Sequence, residues 1–212
     1  MTVAVQILAR APVAGAAKTR LIPALGAEGA ARLQGKLVQD TVARAVASAV
    51  GPVTLYGTGD DEADFIGGVA RACGIAAATQ PSGDLGQRMR AVLADGVARN
   101  TPAVVIGTDC PALTAAAIAL AARRLQDHDA VLAPAHDGGY VLLGVHQPHA
   151  ALFRGIEWGG AQVLDATRAR LRELDWSWSE LEARDDVDRP EDLDRLARLD
   201  PAWAARLADL GY

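Results

Sequence analysis

Two cations spaced two residues apart, Lys18 and Arg20, follow a run of small residues, Ala11-Pro12-Val13-Ala14-Gly15-Ala16-Ala17. Small side chains let a ligand approach the backbone, Lys18 offers a point charge to a phosphate oxygen, and Arg20 offers a planar fork for a second contact. Only two of the 21 basic residues are lysines, Lys18 and Lys36, so a lysine here departs from the chain's own habit. The pattern is neither a Walker A loop nor Gly-x-Gly-x-x-Gly, and a surface loop with solvated cations accounts for it equally well. A second segment, Val104-Val105-Ile106-Gly107-Thr108-Asp109-Cys110-Pro111, ends an apolar run on a carboxylate and stops it with proline. Asp109 has the chemistry of a ligand for Mg²⁺ or Mn²⁺, hard cations that bind through one or two carboxylates plus substrate phosphates. Helix capping is the competing role for Thr108, Asp109 or Thr114, and Thr114 suits it best. Cys110 has no basic partner beside it and is not read as a nucleophile.

Other polar segments are weaker alone. Asp137-Gly138-Gly139-Tyr140, after His136, reads as a hairpin turn or as a backbone that a ligand can approach. His136 has no second histidine at ligand spacing and is read as a loop residue, as are His128, His146 and His149. Gly83-Asp84-Leu85-Gly86-Gln87-Arg88-Met89 opens a helix, and helix N-termini attract anions. Asp185-Asp186-Val187-Asp188-Arg189-Pro190-Glu191-Asp192 opens another, as a solvated acidic cap or a second metal contact. Gly57-Thr58-Gly59 reads as a turn before Asp60.

These segments need elements to position them. Apolar runs at 3–9, 53–56, 75–79, 103–106 and 130–133 read as buried parallel strands. Ala30, Leu33, Leu37, Thr41, Val42, Ala45 and Ala49 recur at helical spacing, and 61–72, 85–99 and 114–125 follow suit. The order βαβαβαβαβ predicts a sheet covered by helices on both faces, with ligands at the strands' carboxyl ends. Beyond Pro134, residues 140–145 read as a strand, 160–174 as a helix, and 175–181 as a strand alternating around Trp176 and Trp178. A helix starts at Pro190 and another follows Pro201.

Taken in order, these motifs resemble the rSAM/selenodomain-associated transferase family, within the nucleotide-diphospho-sugar transferase (GT-A) superfamily. The resemblance rests on Ala11 to Gly15 with Lys18-Thr19-Arg20-Leu21, on Gly83 to Gly86 with Arg88-Met89, on Gly107 to Leu113, on Asp137 to Tyr140, and on Asp186 to Asp188 with Pro190 to Leu193. Lys18-Thr19-Arg20-Leu21 is also similar to the opening of 2-phospholactate guanylyltransferases, and more distantly to molybdenum-cofactor nucleotidyltransferases. The resemblance implies an α/β, Rossmann-like GT-A fold with a mixed, mostly parallel sheet. It further implies that Lys18 and Arg20 hold phosphates, that Asp109 and Asp188 bind Mg²⁺ or Mn²⁺, that Gly138 and Gly139 line the acceptor pocket, and that Gly83 to Met89 lies beside the nucleotide. Two departures stand out: Trp158-Gly159-Gly160-Ala161 replaces a Trp-Ser-Thr-like stretch, and the superfamily's Asp-x-Asp pair is reduced to Asp109.

Composition bounds the alternatives. A chain of 212 residues, 50% hydrophobic, fits one domain spanning 1–212. A net charge of -5 argues against a nucleic-acid surface. Two cysteines without Cys-x-x-Cys spacing give no disulfide framework or zinc site. The apolar start lacks a basic leader, and the other apolar runs are too short for a bilayer, so a cytoplasmic protein without membrane partners is expected. The reaction expected is Mg²⁺-dependent nucleotidyl transfer from a nucleoside triphosphate to a small phosphate or hydroxyl acceptor. Glycosyl transfer from a sugar nucleotide and non-catalytic nucleotide binding are the alternatives.

Overall fold

In the computed structural model, which describes residues 1–58, 63–98 and 102–212, seven strands form one sheet. These are β1 (Ala4–Leu8), β2 (Val53–Gly57), β3 (Ala76–Thr79), β4 (Ala103–Ile106), β5 (Ala130–Pro134), β6 (Tyr140–Val145) and β7 (Trp178–Glu180), in the order β3-β2-β1-β4-β6-β5-β7. The first four are mutually parallel, with Val5 opposite both Val53 and Val104. β6 runs antiparallel between β4 and β5, and β7 is parallel to β5. The chain itself explains the reversal: five residues join β5 to β6, enough for a hairpin but too few for a parallel crossover. This is the mixed, mostly parallel α/β sheet that the alternation of elements predicts.

The helices are α1 (Ile22–Ala47), α2 (Ala63–Cys73), α3 (Leu85–Val97), α4 (Ala115–Arg124), α5 (Val163–Glu173), α6 (Pro190–Leu199) and α7 (Pro201–Ala208). Strand alternation divides the core. Val3, Val5 and Ile7 pack toward Val38 and Val42 of α1, Ile66 of α2 and Ile118 of α4. Ala4, Val105, Leu132 and Leu143 face the opposite layer, with Val92 and Leu93 of α3 and Leu171 of α5. The other side of α1 meets α6 and α7 through Leu33, Leu37, Leu193, Trp203 and Leu207. No helix among the described residues is long and apolar enough to cross a membrane.

Three boundaries differ from the sequence expectation. α1 begins at Ile22, ahead of the periodic stretch from Ala30, because Gly26 breaks the helical backbone at φ 67° and interrupts the apolar spacing. α5 starts at Val163 and not at 160, since Gly159 holds a positive φ of 86°. β7 is three residues long, because Asp175 sits at φ 54° and the Trp176 amide turns back onto the Leu171 carbonyl, closing α5. The turn expected around Gly57-Thr58-Gly59, and the outer ends of the helical patterns at 61–72 and 85–99, fall partly outside the described residues.

Sheet order sets the position of the site. The chain builds outward from β1 to β2 and β3, then returns to place β4 on the other side of β1. Loops leaving β1 and β4 therefore flank a crevice at the carboxyl ends of the strands. Lys18 follows β1, and Asp109 follows β4.

Candidate functional site

Because β1 and β4 are neighbours in register, the two loops meet. Lys18 Nζ lies 2.7 Å from Asp109 Oδ1 and donates to the Val187 carbonyl at 2.6 Å. The Lys18 side chain is 4% exposed and that of Asp109 53%, so the ammonium is interior while the carboxylate reaches solvent. Lys18 also adopts left-handed backbone, φ 48° and ψ 45°, which costs a residue with a Cβ about 1–2 kcal/mol. Its carbonyl accepts from the Leu21 amide at 2.8 Å, closing the turn into α1.

A third segment joins from the far end of the chain. The Val187 amide donates to the Asp109 carbonyl at 2.7 Å. Asp192, 5% exposed, shapes this arm by accepting from the Asp188 amide at 2.9 Å and the Arg189 amide at 2.7 Å, while Arg195 pairs with it from α6. Asp188 is ion-paired with Arg20. Lys18, Arg20, Asp109 and Asp188 are thus brought to one crevice, as two ion pairs.

The crevice opens into a cleft of about 620 Å³. Its lining combines Asp109, Asp137, Asp186 and Asp188 with Arg10, Lys18, Arg20 and Arg88, and adds the apolar or aromatic side chains of Leu85, Met89, Tyr140, Trp158 and Val163. Arg88 donates to Gln80 Oε1 at 3.2 Å, and Gln80 Nε2 in turn donates to the carbonyls of Ala9 at 2.7 Å and Tyr56 at 3.1 Å. Among the described residues neither Arg10 nor Arg88 has a carboxylate within ion-pair distance. These two guanidiniums also line a smaller adjoining hollow of about 250 Å³ with Ala11, Ala16, Ala17 and Thr58.

Of the other residues singled out in the sequence, Leu85, Thr108 and Gly139 line the cleft. Ala11 lines the adjoining hollow, whereas Pro12 lies against Gly35 of α1. Gly15 supplies a positive φ of 80° in the loop after β1. Gly83, at φ 114°, leads into Asp84, which caps α3 by accepting from the Gln87 amide at 2.8 Å. Gly86 is the floor on which Trp158 rests, since a Cβ there would lie 2.5 Å from the indole ring. Gly138 takes φ 92° at the tip of the β5–β6 hairpin, where Asp137 Oδ1 accepts from the Gly139 amide at 2.9 Å. Thr114 caps α4, accepting from the Ala117 amide at 3.1 Å.

Arg10, Gln34 and Gln80 were not signalled by motif. Gln34, 3% exposed on α1, donates to the Arg10 carbonyl at 3.1 Å and to Thr108 Oγ1 at 3.4 Å, linking the β1 and β4 loops. A glutamine within an apolar helical stripe, and another immediately after a strand, are the signals that would have found Gln34 and Gln80.

Burial, followed by the nearby carboxylates of Asp137 and Asp109, holds the Asp186 carboxyl above the usual carboxylate range. A raised acid favours its neutral form in the folded state, so its ionisation destabilises the fold as pH rises through that range. Asp186→Asn is therefore expected to melt higher than the parent at neutral pH, and the difference is expected to vanish below the ordinary carboxylate range. A pH series of thermal melts checks this, and a gap that persists in acid would assign the effect to packing. Cys110, 4% exposed, has its thiol pushed up by burial to about 11, which leaves it unreactive.

No curated protein matches the chain. A solved structure assigned as a nucleotide-diphospho-sugar transferase from Desulfovibrio desulfuricans G20 superposes with a TM-score of 0.80 at 28% identity, covering 89% of this chain and 84% of that one. A cytidylyltransferase from Leptospira borgpetersenii superposes at 0.62 and 15% identity, over 94% of this chain and 88% of the other. Rv0371C from Mycobacterium tuberculosis, in complex with manganese, superposes at 0.52 and 17% identity, over 93% and 99%. The last two share the fold. The model of the family described as "uncharacterized protein conserved in bacteria (DUF2064)" matches residues 41–160, more than half of the chain, and the chain belongs to that family.

Proposed function

We propose that this chain is a transferase acting on a nucleotide-activated substrate, and that it transfers a nucleotidyl group from a nucleoside triphosphate to a small phosphate or hydroxyl acceptor. The observation that carries the reading is the three-way junction of Lys18, Asp109 and Val187 at the β1/β4 crevice, which opens onto a cleft holding four carboxylates and four cations. The donor set fits Mg²⁺ or Mn²⁺: Asp109, Asp137, Asp186 and Asp188 offer the carboxylate oxygens that such hard cations take. Among the described residues no three Asp, Glu, His or Cys side chains form a ready-made metal cage. That suits an ion held by one or two carboxylates and completed by substrate phosphates.

Asp109 and Asp188 would hold the ion, which when bound supplies charge neutralisation at the phosphates. Lys18 fixes the carboxylate of Asp109 and neutralises it from the interior. Arg20, whose side chain is 65% exposed, exchanges Asp188 for a phosphate oxygen when substrate arrives; an exposed pair of this kind is worth about 1 kcal/mol or less. Arg10 and Arg88, without carboxylate partners among the described residues, take further phosphate oxygens, with Gln80 orienting Arg88. Gly83 to Met89 borders the nucleotide, and Gly138, Gly139, Tyr140 and Trp158 border the acceptor. Catalysis by positioning and charge stabilisation needs no covalent nucleophile, in keeping with the inert Cys110.

The order of motifs supports a position for the chain beside the rSAM/selenodomain-associated transferases, as one domain spanning 1–212, and Lys18-Thr19-Arg20-Leu21 favours the chemistry of 2-phospholactate guanylyltransferases. Glycosyl transfer is the second reading, favoured by the name given to the Desulfovibrio neighbour. Incubation with Mg²⁺, each nucleoside triphosphate and a set of phosphate and hydroxyl acceptors, read as acceptor-dependent pyrophosphate, tests the first. Release of nucleoside diphosphate from a sugar nucleotide instead establishes the second. Metal-dependent thermal stabilisation by nucleotide without either product would leave a binding protein.

A further inference from the structure

Two partly buried arginines outside the cleft act on the segment that carries Asp109. Residues Cys110 to Leu113 form a tight turn, closed by the Leu113 amide donating to the Cys110 carbonyl at 3.1 Å. In such a turn the carbonyls of the two central residues, Pro111 and Ala112, point away from the closing bond and need outside donors when they are covered. Each receives a guanidinium from a distant part of the chain. Arg44 of α1 donates through Nη1 to the Pro111 carbonyl, and Arg184, from the arm after β7, donates through Nη1 to the Ala112 carbonyl at 3.0 Å.

Neither arginine is a surface cation resting by chance on a loop. The Arg44 side chain is 17% exposed, and burial lowers its affinity for a proton, the largest influence on it. Asp40, one helical turn back, offsets part of that burial at 2.8 Å and is in turn held by Arg206 of α7 at 3.3 Å. Both Arg44 and Arg184 keep a buried Nε without a hydrogen-bond partner. An unsatisfied buried donor costs about 1–3 kcal/mol, so each guanidinium is kept where a methionine of similar length would have filled the space without that cost. The Arg184 backbone adds to the frame, its amide donating to Pro134 and its carbonyl accepting from His136, at the base of the hairpin that presents Asp137.

We propose that Arg44 and Arg184 are positioning residues, a two-sided clamp that fixes the turn after β4 and thereby the direction of the Asp109 carboxylate. The proposal rests on the reading of Asp109 as the residue that meets metal and phosphate. Charge-assisted bonds to two adjacent carbonyls are stiffer than neutral ones. Releasing the turn lets Asp109 swing about its own backbone while Lys18 still holds one oxygen. A displacement of about 1 Å at such a residue costs on the order of 10²-fold in rate.

Arg44→Met, Arg184→Met, the two combined, and Arg184→Lys separate this role from bulk stability. The first readout is amide hydrogen exchange of the full-length chain. The methionine variants are expected to speed exchange across 110–113 by roughly tenfold or more while the strand amides of β1 and β4 stay protected. The second is Mn²⁺ binding by electron paramagnetic resonance, with affinity expected to fall by about tenfold in either methionine variant and to recover partly in Arg184→Lys. Uniform loss of protection through the sheet, or unchanged exchange at 110–113, would overturn the clamp. Faster exchange at 110–113 with Mn²⁺ affinity unchanged would overturn its link to Asp109. Absence of Mn²⁺ binding by the parent chain would count against the metal reading alone, because the exchange experiment still decides whether the clamp exists.

Discussion

Asp109→Asn is expected to lower the proposed Mg²⁺-dependent turnover by about 10²–10³-fold, the scale of removing one preorganised contact that stabilises transition-state charge, and to lower the thermal midpoint by only a few degrees. The stability part follows from the asymmetry of the Lys18 pair. Breaking a fully buried pair costs about 3–5 kcal/mol because a charge is stranded. Here the carboxylate side is 53% exposed, and Lys18 keeps two acceptors, the Val187 carbonyl and the amide oxygen of the substituted side chain. Solvent screening reduces the loss to about 1 kcal/mol, or about 2–4 °C for a chain of this size. Lys18→Met tests the same pair from the other side: it leaves a carboxylate that water can reach, so its midpoint falls less than that of Asp109→Asn, while turnover falls as well. Full activity in Asp109→Asn would remove Asp109 from the reaction. A collapsed melt would make the pair a folding element first.

Gly138→Ala is expected to have the largest effect on stability of any single methyl addition near the cleft. Gly138 holds φ 92°, a region costly to residues with a Cβ, and an added Cβ would run into the backbone of Ala161 and not into a side chain that could turn away. Its own bonds fix it there: its amide donates to the Ala135 carbonyl at 3.2 Å, and its carbonyl accepts from the Leu164 amide at the start of α5 at 2.9 Å. Backbone strain and the clash together cost about 2–4 kcal/mol, some 4–16 °C in midpoint at about 2–4 °C per kcal/mol. Turnover falls with it, because the hairpin tip carries Asp137 and Tyr140 into the cleft. Gly139→Ala is the control. Gly139 is not at positive φ, and the atoms nearest its Cβ would be those of the Asp137 carboxyl group, Oδ1 at 3.2 Å, so its stability stays within about 1 kcal/mol of the parent. A Gly138→Ala melt indistinguishable from that of Gly139→Ala would show that the tip and α5 can part without cost.

The architecture was legible because it rests on patterns of one residue type. Val3 to Ala9 and Ala103 to Ile106 are almost wholly apolar, as a strand buried on both faces must be, so the parallel half of the sheet could be read directly. Insertion of β6 between β4 and β5 could not, since periodicity identifies a strand without naming its neighbours. Short elements near glycines and left-handed residues, such as β7 after Asp175, were mislaid at their ends because backbone sign leaves little trace in hydropathy. Lys18, Asp109 and Asp188 stood out by type and by their place in the polar loops. Their pairing did not, for nothing in the order of residues says that Lys18 turns inward to Asp109 or that Arg20 faces Asp188. Arg44 and Arg184 were invisible for a further reason: each acts on a backbone carbonyl, and carbonyls carry no side-chain signature.

The arm from Arg184 to Asp192 also sets a timetable. Asp109 is synthesised about 83 residues before Asp192, which bonds the amides of Asp188 and Arg189 and so shapes the arm that caps it. At about 5–20 residues per second the interval is roughly 4–17 s. For most of it the nascent chain can already pair β1, β2, β3 and β4 and bring Arg44 beneath the turn, yet it has neither Arg184 nor the amide of Val187. The cleft is consequently finished last, after most of the sheet exists.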